Sequence, residues 1–205
     1  MAVGLRLGLP LCAPHICGCG SAVDTRGLHG LACRQSSGRM SRHHLINDIV
    51  HRALTRAEVP AIKEPAGLMR SDGKRPDGLT LIPWHCLTWD VTVIDTHADS
   101  YLSHTSTTQG SAAIIAANRK SEKYQSLIHT HEFCPIAIET LGPINAEARM
   151  FLSELGRRIS AVSGEARETS FLMQRISVVM QRSNAVAVRG TFLHILAAGT
   201  SHVQS

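Results

Sequence analysis

The pattern of apolar and polar residues along the chain predicts an α/β fold. Apolar residues recur three and four positions apart, as on one face of a helix, in about residues 42–57, 110–129, 145–162 and 166–184. Short runs rich in β-branched and aromatic residues, typical of strands, occupy 61–68, 75–82, 86–95 and 133–140. The predicted order is helix, three strands, helix, strand and two helices.

The two ends of the chain lack this periodicity. Residues 1–38 are predicted to form a leader and a glycine-rich knuckle, residues 39–190 the α/β domain, and residues 191–205 a C-terminal tail. No run approaches the roughly 18 apolar residues of a membrane span. The leader also lacks the basic start and unbroken apolar stretch of a secretory signal. We therefore expect neither a membrane segment nor secretion.

Composition narrows the class of protein. Of the 205 residues, 43% are hydrophobic and 18% are charged, a balance typical of globular rather than disordered chains. The formal net charge of +5 is compatible with a polyanionic partner without identifying one. The six cysteines are too sparse for a secreted disulfide scaffold, so we expect a reducing compartment.

Three cysteines and one histidine near the N-terminus have the spacing of a zinc site. Together they supply three thiolates and one imidazole, a set that closed tetrahedral zinc sites use. The set is Cys17-x-Cys19-x9-His29-x3-Cys33. Cys12 and His15 are alternative ligands. The competing interpretation is four unrelated residues in a flexible leader.

Two aspartates predict a second metal site. Asp77 opens the second predicted strand, and Asp90 lies within the third, where an unpaired carboxylate is costly to bury. Carboxylates on neighbouring strands can share a hard cation such as Mg²⁺, which activates water and stabilises charge on a phosphodiester. Each aspartate alone is also compatible with a turn or a buried salt bridge. Glu64 is a further candidate ligand for magnesium, although Pro65 makes a loop position equally compatible.

The second predicted helix adds a basic group. Projected at 100° per residue, Lys120 lies at the centre of the apolar stripe and Lys123 on its flank. A lysine in that place either extends to solvent or meets a carboxylate. We expect Lys120 to approach Asp90, where its charge would stabilise a phosphorane-like transition state.

Three further basic residues are candidate contacts to phosphate: Arg42, His43 and Arg75. For Arg42 and His43, the alternative is a position on a solvent-exposed helix face without a phosphate contact. Glu139 is acidic within an apolar strand, and we expect it to have a structural role.

These residues together resemble the PD-(D/E)xK restriction-endonuclease-like core, in which Pro-Asp lies on the second strand and an acid on the third. More narrowly, the chain is similar to the C-terminal region of non-LTR retrotransposon proteins, in which a zinc knuckle follows the reverse transcriptase and precedes the endonuclease. The matching stretches are 17–33, 42–57, Arg75-Pro76-Asp77, Trp89-Asp90-Val91-Thr92 and Lys120-Ser121-Glu122-Lys123-Tyr124. The generic pattern has lysine where Thr92 stands. In the retrotransposon group the basic residue comes from the following helix.

The resemblance implies a Mg²⁺-dependent DNA endonuclease with a structural Zn²⁺, encoded by a retrotransposon and acting in the nucleus. Asp77 and Asp90 would bind the magnesium, and Lys120 or Lys123, with Tyr124, would complete the catalytic site. The implied partners are DNA, element RNA and the reverse transcriptase portion of a parent protein, whose polymerase motifs this chain lacks. One alternative is a catalytically inactive remnant that binds nucleic acid. Another is an α/β domain with a structural zinc and no nucleic-acid role.

Overall fold

The computed structural model describes residues 1–70, 72–82, 86–127 and 129–192, and there the chain is a mixed α/β protein. Its helices are α1 Ala2–Leu7, α2 His29–Ala32, α3 Ser37–Arg56, α4 Asp99–Thr105, α5 Ser111–Lys123, α6 Ala146–Ser163 and α7 Glu168–Gly190. Its strands are β1 His15–Ile16, β2 Ala22–Val23, β3 Ala61–Lys63, β4 Gly78–Thr80, β5 Leu87–Ile94 and β6 Glu132–Glu139. Two 3₁₀ turns occupy Ala66–Leu68 and Gln125–Leu127.

The chain divides into two compact units. One contains residues 1–42 and the segment from Val178 onward, and the other contains His43–Ser177. The boundaries fall within α3 and within α7. The predicted division near residue 38 therefore lies inside α3, because the first turn of that helix carries no apolar periodicity.

The unit with both termini is small and has its own core. β1 and β2 form a short antiparallel hairpin. Leu5 and Leu31 pack against Ala187 and Val188 of α7. Gly30 is required at this contact, since a Cβ there would lie 2.8 Å from the Ala187 carbonyl oxygen.

The larger unit is built on a four-stranded sheet with the order β3-β4-β5-β6. The first three strands are antiparallel and β6 runs parallel to β5, so α5 lies in the crossover between them. The alanines of α5 pack against Ile94 and Ala137, and their small side chains let the helix approach the sheet closely. Glu139 is buried, and its Oε1 accepts a hydrogen bond from the Ala113 amide at 3.1 Å. This carboxylate thereby caps the first turn of α5, which is a structural role.

The helices α3, α5, α6 and α7 and the strands β3 to β6 occur in the predicted order, whereas the strands β1 and β2 were not predicted. The second predicted strand, 75–82, is reduced to Gly78–Thr80, so Asp77 lies just before it. The first strand is shorter than predicted, because Glu64 takes a left-handed backbone conformation (φ 48°) and Pro65 cannot donate to a ladder. The short helices α1 and α4 were not predicted. Residues 83–85 and 193–205, which include most of the predicted tail, lie outside the described residues. No helix in the described ranges is both long enough and apolar enough to cross a membrane.

Candidate metal centre and acidic site

The Cys/His cluster is assembled from the β1–β2 hairpin and α2. Cys17 and Cys19 lie in the turn of the hairpin, where the Gly20 amide donates to the Cys17 carbonyl at 2.8 Å. Gly20 has a φ of 87°, a conformation that glycine adopts without steric cost. His29 opens α2 and Cys33 directly follows it, so one helical turn brings these two side chains together, as the spacing predicted.

The four ligand atoms fit a tetrahedral metal ion. They all lie within 4.8 Å of one another, and they form the one group of three or more such ligands in the part of the chain that the structure describes. A zinc ion with Zn–S bonds of about 2.3 Å places two sulfurs about 3.8 Å apart. The Sγ atoms of Cys17 and Cys33 are 3.9 Å apart, and Cys19 Sγ lies 3.2 Å from His29 Nε2. This group can therefore bind a metal such as zinc.

The local environment affects the cysteine thiols unequally. Hydrogen bonds from Ser21 lower the pKa of Cys19 to about 6, whereas burial raises the pKa of Cys33. The two alternative ligands are engaged elsewhere. Cys12 Sγ lies 3.2 Å from the Asp24 carbonyl oxygen, and His15 stacks on Phe192 with 4.0 Å between ring centroids.

Three acidic residues of the larger unit lie within or next to neighbouring strands: Glu64 directly follows β3, Asp77 directly precedes β4 and Asp90 lies within β5. Gly78 pairs with Trp89 at the end of the β4–β5 ladder, and Asp77 and Asp90 are the next residues along the two segments. In the same way, the β3–β4 register places Glu64 opposite Asp77, and the Glu64 amide donates to the Asp77 carbonyl at 3.0 Å. The Asp77 carboxylate accepts the Val91 amide at 2.6 Å, so it lies beside the residue that directly follows Asp90.

Asp90 forms an ion pair with the helix that follows its strand. The residue is 4% exposed, and its Oδ1 accepts a hydrogen bond from Lys120 Nζ at 2.5 Å. The approach of Lys120 to Asp90 that helical projection predicted is therefore present. Lys123 instead lies against Tyr124, with its Nζ 4.8 Å from the ring centroid. Of the two lysines, Lys120 is the one beside the carboxylate.

Tyr124 is fully buried next to this pair. Its hydroxyl donates to the Arg75 carbonyl oxygen at 2.9 Å, which ties the end of α5 to the segment before β4. Burial, reinforced by the nearby Asp90, raises the pKa of Tyr124 well above its ordinary value. The phenol is therefore a neutral hydrogen-bond donor at physiological pH.

His43 occupies a place that the sequence did not predict. Its Nε2 lies 3.1 Å from Asp77 Oδ1, and its Nδ1 lies 3.1 Å from the Val91 carbonyl oxygen. Neither oxygen carries a hydrogen, so the protonated imidazolium, with a donor on each nitrogen, satisfies both contacts. The hydrogen bond with Asp77 raises the pKa of His43, with a smaller contribution from Asp90, while burial and Lys120 oppose this rise. The other carboxylate oxygen of Asp77 accepts the Val91 amide at 2.6 Å.

Three further candidates are engaged in other contacts. Arg42 is only 2% exposed and donates to Asn184 Oδ1 and to the Leu31 carbonyl, each at 2.8 Å. These buried contacts do not support the prediction that Arg42 contacts phosphate, which stays a prediction. Arg75 and Glu64 form an ion pair with each other. The ligand atoms of Glu64, Asp77 and Asp90 do not form a metal-binding group in the part of the chain that the structure describes.

A glycine and a tryptophan beside the two aspartates hold the strands in place. The fully buried Trp89 ring lies over Gly78, and its Nε1 donates to Asn47 Oδ1 of α3 at 2.9 Å. Because Trp89 directly precedes Asp90 and Gly78 directly follows Asp77, this packing sets the register of the acidic pair.

Comparison with known proteins does not assign the chain to a family. No protein-family model matches it, and no curated protein is significantly similar to it in sequence.

Proposed function

We propose that the chain is a DNA endonuclease with a restriction-endonuclease-like core and a zinc knuckle. The observation that carries this proposal is the ion pair of Asp90 with Lys120 at 2.5 Å, next to the Asp77 carboxylate that accepts the Val91 amide. A carboxylate pair with a lysine beside it is suited to phosphodiester hydrolysis, in which negative charge develops on the phosphoryl oxygens.

The carboxylates fit a hard divalent cation such as Mg²⁺ in ligand type, and Asp77 directly precedes β4, the neighbour of the strand that carries Asp90. Asp77 and Asp90 would hold the ion, which when bound supplies an activated water and neutralises phosphoryl charge. Lys120 is the residue that would stabilise the charge of the transition state. Tyr124, held by the Arg75 carbonyl, keeps the end of α5 against this site. His43 orients Asp77 through its hydrogen bond.

The Cys/His cluster has a structural role in this proposal. A zinc ion bound by all four side chains would leave no open position for substrate, as in closed structural sites. The order of a zinc knuckle followed by a nuclease core supports an origin in the protein of a non-LTR retrotransposon. Such a protein would act on DNA in the nucleus, together with element RNA and the reverse transcriptase portion of its parent.

One observation favours an alternative function. Asp90 already has Lys120 as its counter-ion, and Asp77 already has His43. The two acidic charges are therefore compensated by the protein itself, which is also the state expected of a catalytically inactive remnant that binds nucleic acid without cleaving it.

A plasmid-nicking assay distinguishes these functions. The full chain, purified with its zinc, is incubated with supercoiled DNA and Mg²⁺, and relaxation to the open circle is followed on a gel. Asp77→Ala and Asp90→Ala should each abolish nicking. Glu154→Gln, which removes an exposed carboxylate on α6, is the matched control and should nick like the unmodified chain. Equal nicking by the unmodified chain and by both aspartate variants would refute the site, whereas binding without nicking would establish the alternative.

A further inference from the structure

Basic side chains lie next to Tyr124 in the larger unit. The Arg70 guanidinium lies 5.5 Å from the centroid of the Tyr124 ring, and Lys123 Nζ lies 4.8 Å from it. Lys74 belongs to the same loop as Arg70, since the Arg70 amide donates to the Lys74 carbonyl at 2.8 Å. We call Arg70, Lys74 and Lys123 the basic cluster.

The charges of the basic cluster are poorly compensated. In the described part of the larger unit, neither Lys74 nor Lys123 has a carboxylate oxygen within 4 Å of its Nζ, and Arg70 is paired only with Asp72 at 3.2 Å. Burial lowers the pKa of Lys123, and the nearby charges of Lys120 and Lys74 lower it further, while Asp90 and Asp72 oppose this decrease. Like charges gathered in this way repel one another, so an anion bound among them would be stabilised.

The basic cluster adjoins the acidic site through α5. Lys120 and Lys123 are three residues apart and therefore lie on neighbouring turns of one helix face. Lys120 contacts Asp90, while Lys123 belongs to the cluster. The Arg75 carbonyl, which accepts the Tyr124 hydroxyl, is two residues before Asp77. An extended polyanion crossing the cluster would thus continue toward the carboxylate pair.

We infer that the basic cluster binds the phosphodiester backbone of the nucleic-acid strand next to the phosphate at Asp77 and Asp90. This inference rests on the proposed function and names the surface that holds its substrate. The expected contacts are to phosphate and not to bases, because the Tyr124 ring is fully buried and offers no face for stacking. Two ammonium groups and a guanidinium are the donors that phosphate oxygens accept most strongly.

The test measures binding separately from cleavage. Fluorescence anisotropy of labelled duplex DNA, and of single-stranded RNA of the same sequence, is recorded without Mg²⁺ over a range of NaCl concentrations. The full chain is compared with the double variant Lys74→Gln/Lys123→Gln. The matched control, Arg157→Gln/Arg158→Gln, removes two exposed positive charges from α6 of the same unit. Circular dichroism verifies that each variant is folded.

The cluster variant should bind about tenfold more weakly than the control at low salt. For duplex DNA, the slope of log affinity against log salt should also become shallower by about 1.8, because each of the two lost phosphate contacts contributes about 0.9. Lys123→Arg should retain binding, because it keeps the charge. The inference is overturned if the cluster variant binds no more weakly than the control, or if the unmodified chain binds neither nucleic acid. A chain that binds through the cluster but does not nick DNA would refute the nuclease and leave the binding surface supported. Comparing the DNA and RNA arms shows which backbone the cluster prefers.

Discussion

The contact between Gly78 and Trp89 leads to a prediction whose magnitude follows from the structure. A Cβ at residue 78 would lie 2.0 Å from Cζ2 of the Trp89 ring and 2.2 Å from its Cη2. Such separations are far below van der Waals contact, so Gly78→Ala must displace either the ring or the strand. The ring has no free space to move into, because it is fully buried and its Nε1 is bonded to Asn47.

The expected cost of Gly78→Ala is the sum of two effects. Overpacking a well-packed core costs about 1–3 kcal/mol. Moving the ring also weakens the hydrogen bond from Trp89 to Asn47, which contributes about 1 kcal/mol. We therefore expect the free energy of unfolding to fall by about 2–4 kcal/mol. Because Gly78 directly follows Asp77 and Trp89 directly precedes Asp90, any nicking activity should fall as well.

Urea unfolding followed by circular dichroism measures this change. Gly67→Ala is the matched control, since a Cβ there meets nothing within 4 Å. The double variant Gly78→Ala/Trp89→Leu should be less destabilised than the sum of its two single variants, because removing the ring also removes the clash. If Gly78→Ala unfolds at the same urea concentration as Gly67→Ala, or if the two substitutions are additive, the contact does not hold the strands as described.

Three further predictions concern the two candidate sites. Lys120→Met should lower the free energy of unfolding by about 3 kcal/mol in urea titrations, more than Asp90→Asn does, because it leaves a buried carboxylate without its partner; equal costs would contradict this. Cys33→Ser should lower the zinc content measured by elemental analysis from one ion per chain to nearly none, whereas Cys12→Ser should retain the ion. His43→Gln should cost stability mainly at low pH. Asp77 raises the pKa of His43 in the folded protein, so the contribution of His43 to the free energy of unfolding is fully present below about 6.5, the pKa of an unfolded histidine. This contribution is lost as the pH rises through the pKa of His43 in the folded protein. A cost of His43→Gln that grows from pH 5.5 to pH 8.5 would refute this.

Local spacing explains which features were predictable from the sequence. The order of helices and strands follows from apolar periodicity, and the zinc ligands follow from a tight turn and one turn of helix. The approach of Lys120 to Asp90 was also predictable, because a charged residue at the centre of an apolar stripe requires a partner and the nearest strand carries a buried acid. In each case the deciding pattern spans few residues or repeats with a fixed period.

Long-range contacts explain what the sequence did not reveal. Arg42 and His43 are adjacent on α3 and had the same predicted role, yet about 100° of helical rotation gives them different partners. Arg42 is buried against the Leu31 carbonyl, whereas His43 bonds to Asp77, 34 residues away in the chain. Nothing in the local pattern distinguishes these neighbours. A polar residue within the first turns of a helix was the signal available, and it indicates no particular partner.

The charge arrangement of the acidic site links its stability to its proposed activity. Lys120 and His43 balance Asp90 and Asp77, so neither of these two carboxylates is without a partner in the folded protein. The same balance means that a divalent cation must compete with these side chains for the carboxylate oxygens. In an active nuclease the cation would bind the carboxylates when substrate is present. The substrate phosphate would offer Lys120 a new negative partner, which would free Asp90 to bind the ion. Substrate and metal should therefore bind cooperatively, each strengthening the binding of the other by the same factor. An inactive remnant would bind nucleic acid with an affinity that does not respond to Mg²⁺ beyond the effect of ionic strength.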